Sequence, residues 1–302
     1  MSGASRRAKW LTIILFLLPS LIGLAVFSIG PIGYSFLIGL TDWNGLNAWD
    51  PAAGTPNFIG LDNYAEIMSG EEFWRVLRNT MYFIVLYIPL ILIFSILAAV
   101  LLNNKYRGIG AYRVLFFIPV LTSWVAGSLI WKWLLSDDYG PVNAILAFVG
   151  IDGPAWLQDP HWAMPGIVFA SIWKDMGFFA LILLGGLQGI NPDYYEAAQM
   201  DGAGMWKRLY RITLPLLSPI LFFVIIISVI NSFQLFPQVM IMTQDAGPYG
   251  ATQAMVERIY KYAFKYYKMG YAASFSWILF VIILFFTVIQ MRLQKRWVHY
   301  DG

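Results

Sequence analysis

Three groups of side chains in this 302-residue sequence have the type and spacing to do chemistry. Lys174 and Asp175 stand side by side inside an otherwise uncharged run, 163–188. Asn231, Gln234 and Gln238 recur three and four residues apart, with Ser232 beside them and Phe233 and Phe236 nearby. Glu196, Ala197 and Ala198 open a stretch that is polar and glycine-punctuated. A buried Lys–Asp pair suits a proton relay, but adjacent residues on a helix point different ways and should not neutralise each other. An amide stripe flanked by rings suits the holding of a sugar, through hydrogen bonds plus stacking. It suits interhelical hydrogen bonding equally well, and both readings stay open. His161 and His299 are too far apart for a metal pair or a triad, and there is no cysteine. No phosphate-cradling glycine loop is present either. The chain is therefore expected to be non-catalytic, with no cofactor or metal of its own.

The elements that carry these groups follow from composition. The chain is 59% hydrophobic and only 12% charged, against roughly 45–50% and about 25% in soluble domains. That excludes a soluble enzyme, a disordered scaffold and a nucleic-acid binder. Runs long enough to span a bilayer fall at about 10–33, 79–104, 114–135, 163–188, 212–242 and 269–291. The expectation is an all-α polytopic membrane protein, one domain over 1–302, with about six transmembrane helices. Gly30, Pro31 and Gly33 read as an irregular end to the first helix, which lacks a cleavage site and should remain uncleaved. Lys and Arg cluster at Arg6, Arg7, Lys9; Lys105, Arg107, Arg113; Lys207, Arg208, Arg211; and Arg292, Lys295, Arg296. By the positive-inside rule these segments are cytoplasmic, giving an N-in, C-in topology in which the +3 charge is a topology signal. Lys174 and Asp175 then lie about 15 Å along helix four from its outer end.

The segment 189–215 is thereby a cytoplasmic loop. Asn191 is a good N-cap and Pro192 suits a first helical position. Gly202 and Gly204 should break that helix, and a second should run from Met205 toward Pro215. Two short helices meeting at glycine make a rigid projection, and Ala197 and Ala198 keep the surface beside Glu196 low.

The residues of this loop resemble a known family. Glu196-Ala197-Ala198, Asp201-Gly202-Ala203, Ile212, Leu214 and Pro215 match the spacing of the EAA signature of binding-protein-dependent ABC importer permeases, in its carbohydrate-uptake (maltose and glycerol-phosphate) form. The resemblance extends to Phe58–Tyr64, Arg78-Asn79-Thr80, Tyr112-Arg113 through Pro119, and Gly185-Gly186-Leu187-Gln188. One departure is Asp245-Ala246-Gly247-Pro248 with Thr252, where the family commonly has Gly-Gly-Pro…Thr. The resemblance implies a type I importer permease in the cytoplasmic (inner) membrane of a bacterium or archaeon. It implies a second homologous permease, two ATPase subunits that bind ATP and Mg, and an extracytoplasmic solute-binding protein that delivers carbohydrate. It also implies that Glu196, Ala197, Ala198, Asp201, Gly202, Ile212, Leu214 and Pro215 dock the ATPase. Asn231, Ser232, Gln234, Gln238, Lys174 and Asp175 become candidates for the substrate pathway. The alternative is an ion-coupled secondary transporter of a small polar solute, with Asp175 as its coupling group.

Overall fold

The computed structural model describes residues 3–50, 55–104 and 106–298. Lys105 and His299 lie outside the described residues, as do the side chains of Arg6, Arg7 and Lys9. The architecture is all-α. Among the described residues only two isolated β-bridges occur, Thr41 with Phe58 and Asp50 with Thr55. Four helices are long and apolar enough to cross a membrane, or up to six if each of two bent pairs is one span.

The chain divides into two compact units. The first takes in residues up to Gly70 together with Ile259–Ile278. It holds α1 (Gly3–Leu24), a π turn at Ala25–Ile29, α2 (Gly30–Gly39) and α3 (Asp62–Ser69). The expected irregular end at Gly30–Gly33 does not occur, and the helix runs on to Gly39. The physical reason is the π turn, in which Gly30 N–H bonds to Ala25 O. It widens the helix just before Pro31, whose missing N–H would otherwise break the ladder. The free carbonyls at the end of α2 are then met by side chains. Asn63 Nδ2 donates to Gly39 O and Thr41 O at 3.0 and 2.9 Å, and Ser274 Oγ donates to Gly39 O at 2.6 Å.

The second unit takes in Glu71–Arg258 and the chain from Leu279 onward. Its centre is α4 (Glu71–Leu102) packed along α8 (Ala163–Gly189). Phe83, Tyr87 and Ile91 of α4 and Phe179 and Leu183 of α8 lie in one buried core. Of the four long spans α8 is the least apolar and the most buried, as expected of a helix surrounded by protein rather than lipid. The run expected as a single helix over 114–135 is two, α5 (Ile109–Leu121) and α6 (Trp124–Leu134), bent by 98°. Thr122 leaves the helix with an extended backbone, and Ser123 starts a new helix by accepting from Ala126 N–H at 3.1 Å. α5 lies close on α8 at Gly177, where a Cβ would run into the carbonyl of Phe116. Arg113 of α5 donates to Leu102 O at 2.9 Å, capping the C-terminus of α4.

Further along come α7 (Pro141–Phe148), α9 (Asp193–Met200) and α10 (Met205–Arg208). A π turn (Leu209–Thr213), α11 (Leu214–Leu216) and α12 (Ser218–Phe233) follow, with a 71° bend before α12. The run expected as one helix over 212–242 is broken again, because α12 ends at Phe233 and α13 (Pro237–Met242) begins anew with Pro237. α14 (Met255–Tyr260) and α15 (Met269–Leu293) complete the chain.

Candidate functional site

The first region is the segment around Glu196. Asn191 Oδ1 accepts from Asp193 N–H at 3.0 Å, so it caps α9 while Pro192 already has helical torsions. At the other end Gly202 has φ +72°, which disfavours any side chain. Its N–H bonds to Gln199 O at 3.0 Å, and Ala203 N–H reaches back to Ala198 O at 2.9 Å. These two bonds are the Schellman closure of a helix, with glycine at its left-handed position. The spacing from Ala198 to Gly202 and Ala203 is therefore a backbone requirement. Gly204 then starts the second short helix, as the glycine break implies. Tyr195 Oη lies 3.0 Å from Thr213 Oγ1, tying α9 to the π turn that precedes Pro215. Glu196 and Ala197 are exposed, as are Met200, Met205 and Trp206. Ile212, Leu214 and Pro215 are half-buried.

The second region is a cavity of about 250 Å³ in the same unit. Part of its lining is aromatic. Phe83 and Tyr87 stack with centroids 5.1 Å apart, and Trp124 lines the same space. The rest of the lining is polar and includes Asp175, Asn231, Gln234 and Gln238. Ser171 and Ser232 complete it. The amides do not share one helical face as their spacing suggested, since Gln234 follows the last residue of α12 and Gln238 belongs to α13. The chain break between these helices turns all three toward one space nonetheless. Asp175 Oδ2 accepts from the Tyr87 hydroxyl at 2.7 Å.

Lys174 does not line this cavity. It is buried, and its Nζ donates to Val120 O at 2.9 Å and lies 5.4 Å from the Trp124 ring centre. Val120 is next to last in α5, so this carbonyl has no partner within the helix. The lysine thus caps the bent end of α5. Sequence reasoning missed Phe83, Tyr87, Trp124 and Ser171. The first two are four apart on a helix, but nothing separates that pair from ordinary apolar packing in so aromatic a chain.

His161 is exposed, with its ring Nδ1 3.1 Å from Asp159 Oδ1. The backbone N–H of His161 holds the Asp159 carboxyl below its ordinary range. The departing loop at 245–252 has a cost in its geometry. Ala246 adopts φ +67°, where the family's usual glycine would sit without strain. Thr252 N–H donates to Ala246 O at 3.0 Å, and the Thr243 and Thr252 hydroxyls lie 2.8 Å apart.

These elements make an all-helical fold with bent spans, a polar cavity and an exposed pair of short helices. Two solved alginate ABC transporter structures share it, each with a TM-score of 0.82 at 24% identity, covering 97% of this chain. The match covers 96% of one solved chain and 98% of the other. Residues 64–299 match the family described as binding-protein-dependent transport system inner membrane component, and the chain belongs to that family. Relatives include the "Probable ABC transporter permease protein YesP" of Bacillus subtilis, 36% identical over 95% of this chain and 91% of the relative. The "Trehalose/maltose transport system permease protein MalF" of Thermococcus litoralis is 34% identical over 93% of this chain and 92% of the relative. The "Lactose transport system permease protein LacF" of Rhizobium radiobacter is 32% identical over 93% of each. The protein is a multi-pass ABC importer permease, and the ion-driven alternative finds no support in these relationships.

Proposed function

We propose that this permease forms half of the translocation pathway of an ATP-driven, binding-protein-dependent carbohydrate importer. The sugar passes along the cavity lined by the rings of Phe83, Tyr87 and Trp124 and by Asp175, Asn231, Gln234 and Gln238. The observation that carries this reading is the pairing of an aromatic wall with convergent amides, in a chain 34% identical to a trehalose/maltose permease. Rings cover the apolar faces of a pyranose while amides meet its hydroxyls, the usual division of labour in a small-molecule site.

The segment carrying Glu196, Ala197, Ala198, Asp201 and Gly202 faces the cytoplasm, with both termini on that side, and seats itself on an ATPase subunit. Ile212, Leu214 and Pro215 anchor its second helix. The remaining subunits are a second homologous permease, a second ATPase and an external solute-binding protein. The ATPases hold ATP and Mg, and this chain needs no cofactor. The host membrane is the cytoplasmic membrane of a bacterium or archaeon.

Uptake by the reconstituted importer tests the pathway. Asn231→Ala combined with Gln238→Ala should reduce sugar uptake at least about tenfold, the loss of one or two net hydrogen bonds, with the complex still assembled. Uptake at the unmodified rate would return these amides to interhelical bonding.

A further inference from the structure

The hydrogen-bonding inventory of the cavity narrows which sugars it can take, and this rests on the sugar-path reading above. The three hydroxyl protons on its walls are already committed. The Tyr87 hydroxyl donates to Asp175 Oδ2 at 2.7 Å. Ser171 Oγ donates to Ile167 O at 2.9 Å, and Ser232 Oγ donates to Ser228 O at 2.6 Å. The nearby cation, Lys174, is bonded to Val120 O. Among the described residues no lysine, arginine or histidine lines the cavity.

What these groups keep uncommitted is lone pairs. A carboxylate accepts only, and a hydroxyl whose proton is used elsewhere can still accept. Gln238, 6% exposed, has an Oε1 with no hydrogen-bond partner. The donors that remain are the amide N–H groups of Asn231, Gln234 and Gln238 and the indole of Trp124. A ligand suited to this wall brings hydroxyl donors of its own. One bearing a carboxylate, phosphate or sulfonate brings further acceptors and a charge of the same sign as Asp175.

We infer that this chain selects uncharged, hydroxyl-rich sugars over anionic ones, with Asp175 as the residue that sets the preference. The fold alone does not dictate it, since the solved neighbours carry the acidic polysaccharide alginate.

The test is equilibrium binding to the complete importer in lipid nanodiscs, followed by tryptophan fluorescence. The probes are two matched pairs, maltose with maltobionate and lactose with lactobionate, plus trehalose. Trp124→Phe identifies the part of the signal that comes from this cavity. The expected result is a Trp124-dependent change with at least one neutral sugar. Its aldonate should then need at least about tenfold more ligand, a modest share of the repulsion between like charges a few ångströms apart. In Asp175→Asn, which keeps the shape and can still accept from Tyr87, the gap should close to about twofold. Equal affinities in the unmodified importer, or tighter binding of an aldonate, overturn the charge preference and leave the sugar path standing. A gap that persists in Asp175→Asn overturns the role of Asp175. No Trp124-dependent change with any of the five probes overturns the sugar path and this inference together.

Discussion

The Glu196 segment and the polar cavity are built on opposite plans. The segment is continuous in sequence, and its critical residues act on neighbours within a few positions. Asn191 caps the start of α9, and Gly202 closes its end through bonds to Gln199 and Ala198. The cavity is drawn from five helices, with Phe83 and Tyr87 on α4, Trp124 on α6 and Asp175 on α8. Its amides come from the broken junction of α12 and α13. Local backbone rules therefore specify a docking surface, while tertiary packing specifies a binding space.

Substitutions can break or sharpen this contrast. The largest effect is expected from Glu196→Lys, which should abolish ATP-coupled uptake while the chain still inserts. Measured together, ATPase activity and uptake decide it, and full transport would remove the docking role. Next is Lys174→Met, which leaves the half-buried Val120 carbonyl without its donor and should cost about 1–2 kcal/mol. Thermal unfolding in nanodiscs reads that loss, while the preference for neutral sugars should persist, since Asp175 keeps its charge and loses only a neighbouring cation. Asp175→Asn should behave in the opposite way, changing selectivity with little effect on unfolding.

Gly202→Ala places a side chain at φ +72° and should destabilise the short-helix pair by about 1–2 kcal/mol. Faster hydrogen exchange confined to α9 and α10 would report it. Ala246→Gly is the converse change, at φ +67°. It should stabilise the 245–252 loop by up to about 1 kcal/mol, since glycine's extra unfolded-state freedom offsets part of the relief. A lower unfolding temperature for this variant would remove the strain assigned to Ala246.

Much of the fold was legible because span length and charge-free runs depend on composition. The Glu196 segment was legible for the same kind of reason, since glycines and caps act at fixed short offsets. The junctions were not. Pro31 looked like an end but sits after a π turn that absorbs it. Ser123 and Pro237 mark real breaks that apolarity alone cannot reveal. The amide stripe was found through a helical face that does not exist, and the residues converge because the helix stops. Lys174 and Asp175, adjacent and similar on paper, part company because one meets the end of α5 and the other meets Tyr87. Phe83, Tyr87 and Trp124 carried no local mark at all.

The corner between α5 and α6 also has a history on the ribosome. Lys174, the residue that satisfies Val120, lies 54 positions further along the chain. Until α8 has been made, that carbonyl lacks the donor that satisfies it in the folded protein. The bent end of α5 is thus completed by a later helix, and the order of synthesis becomes an order of assembly.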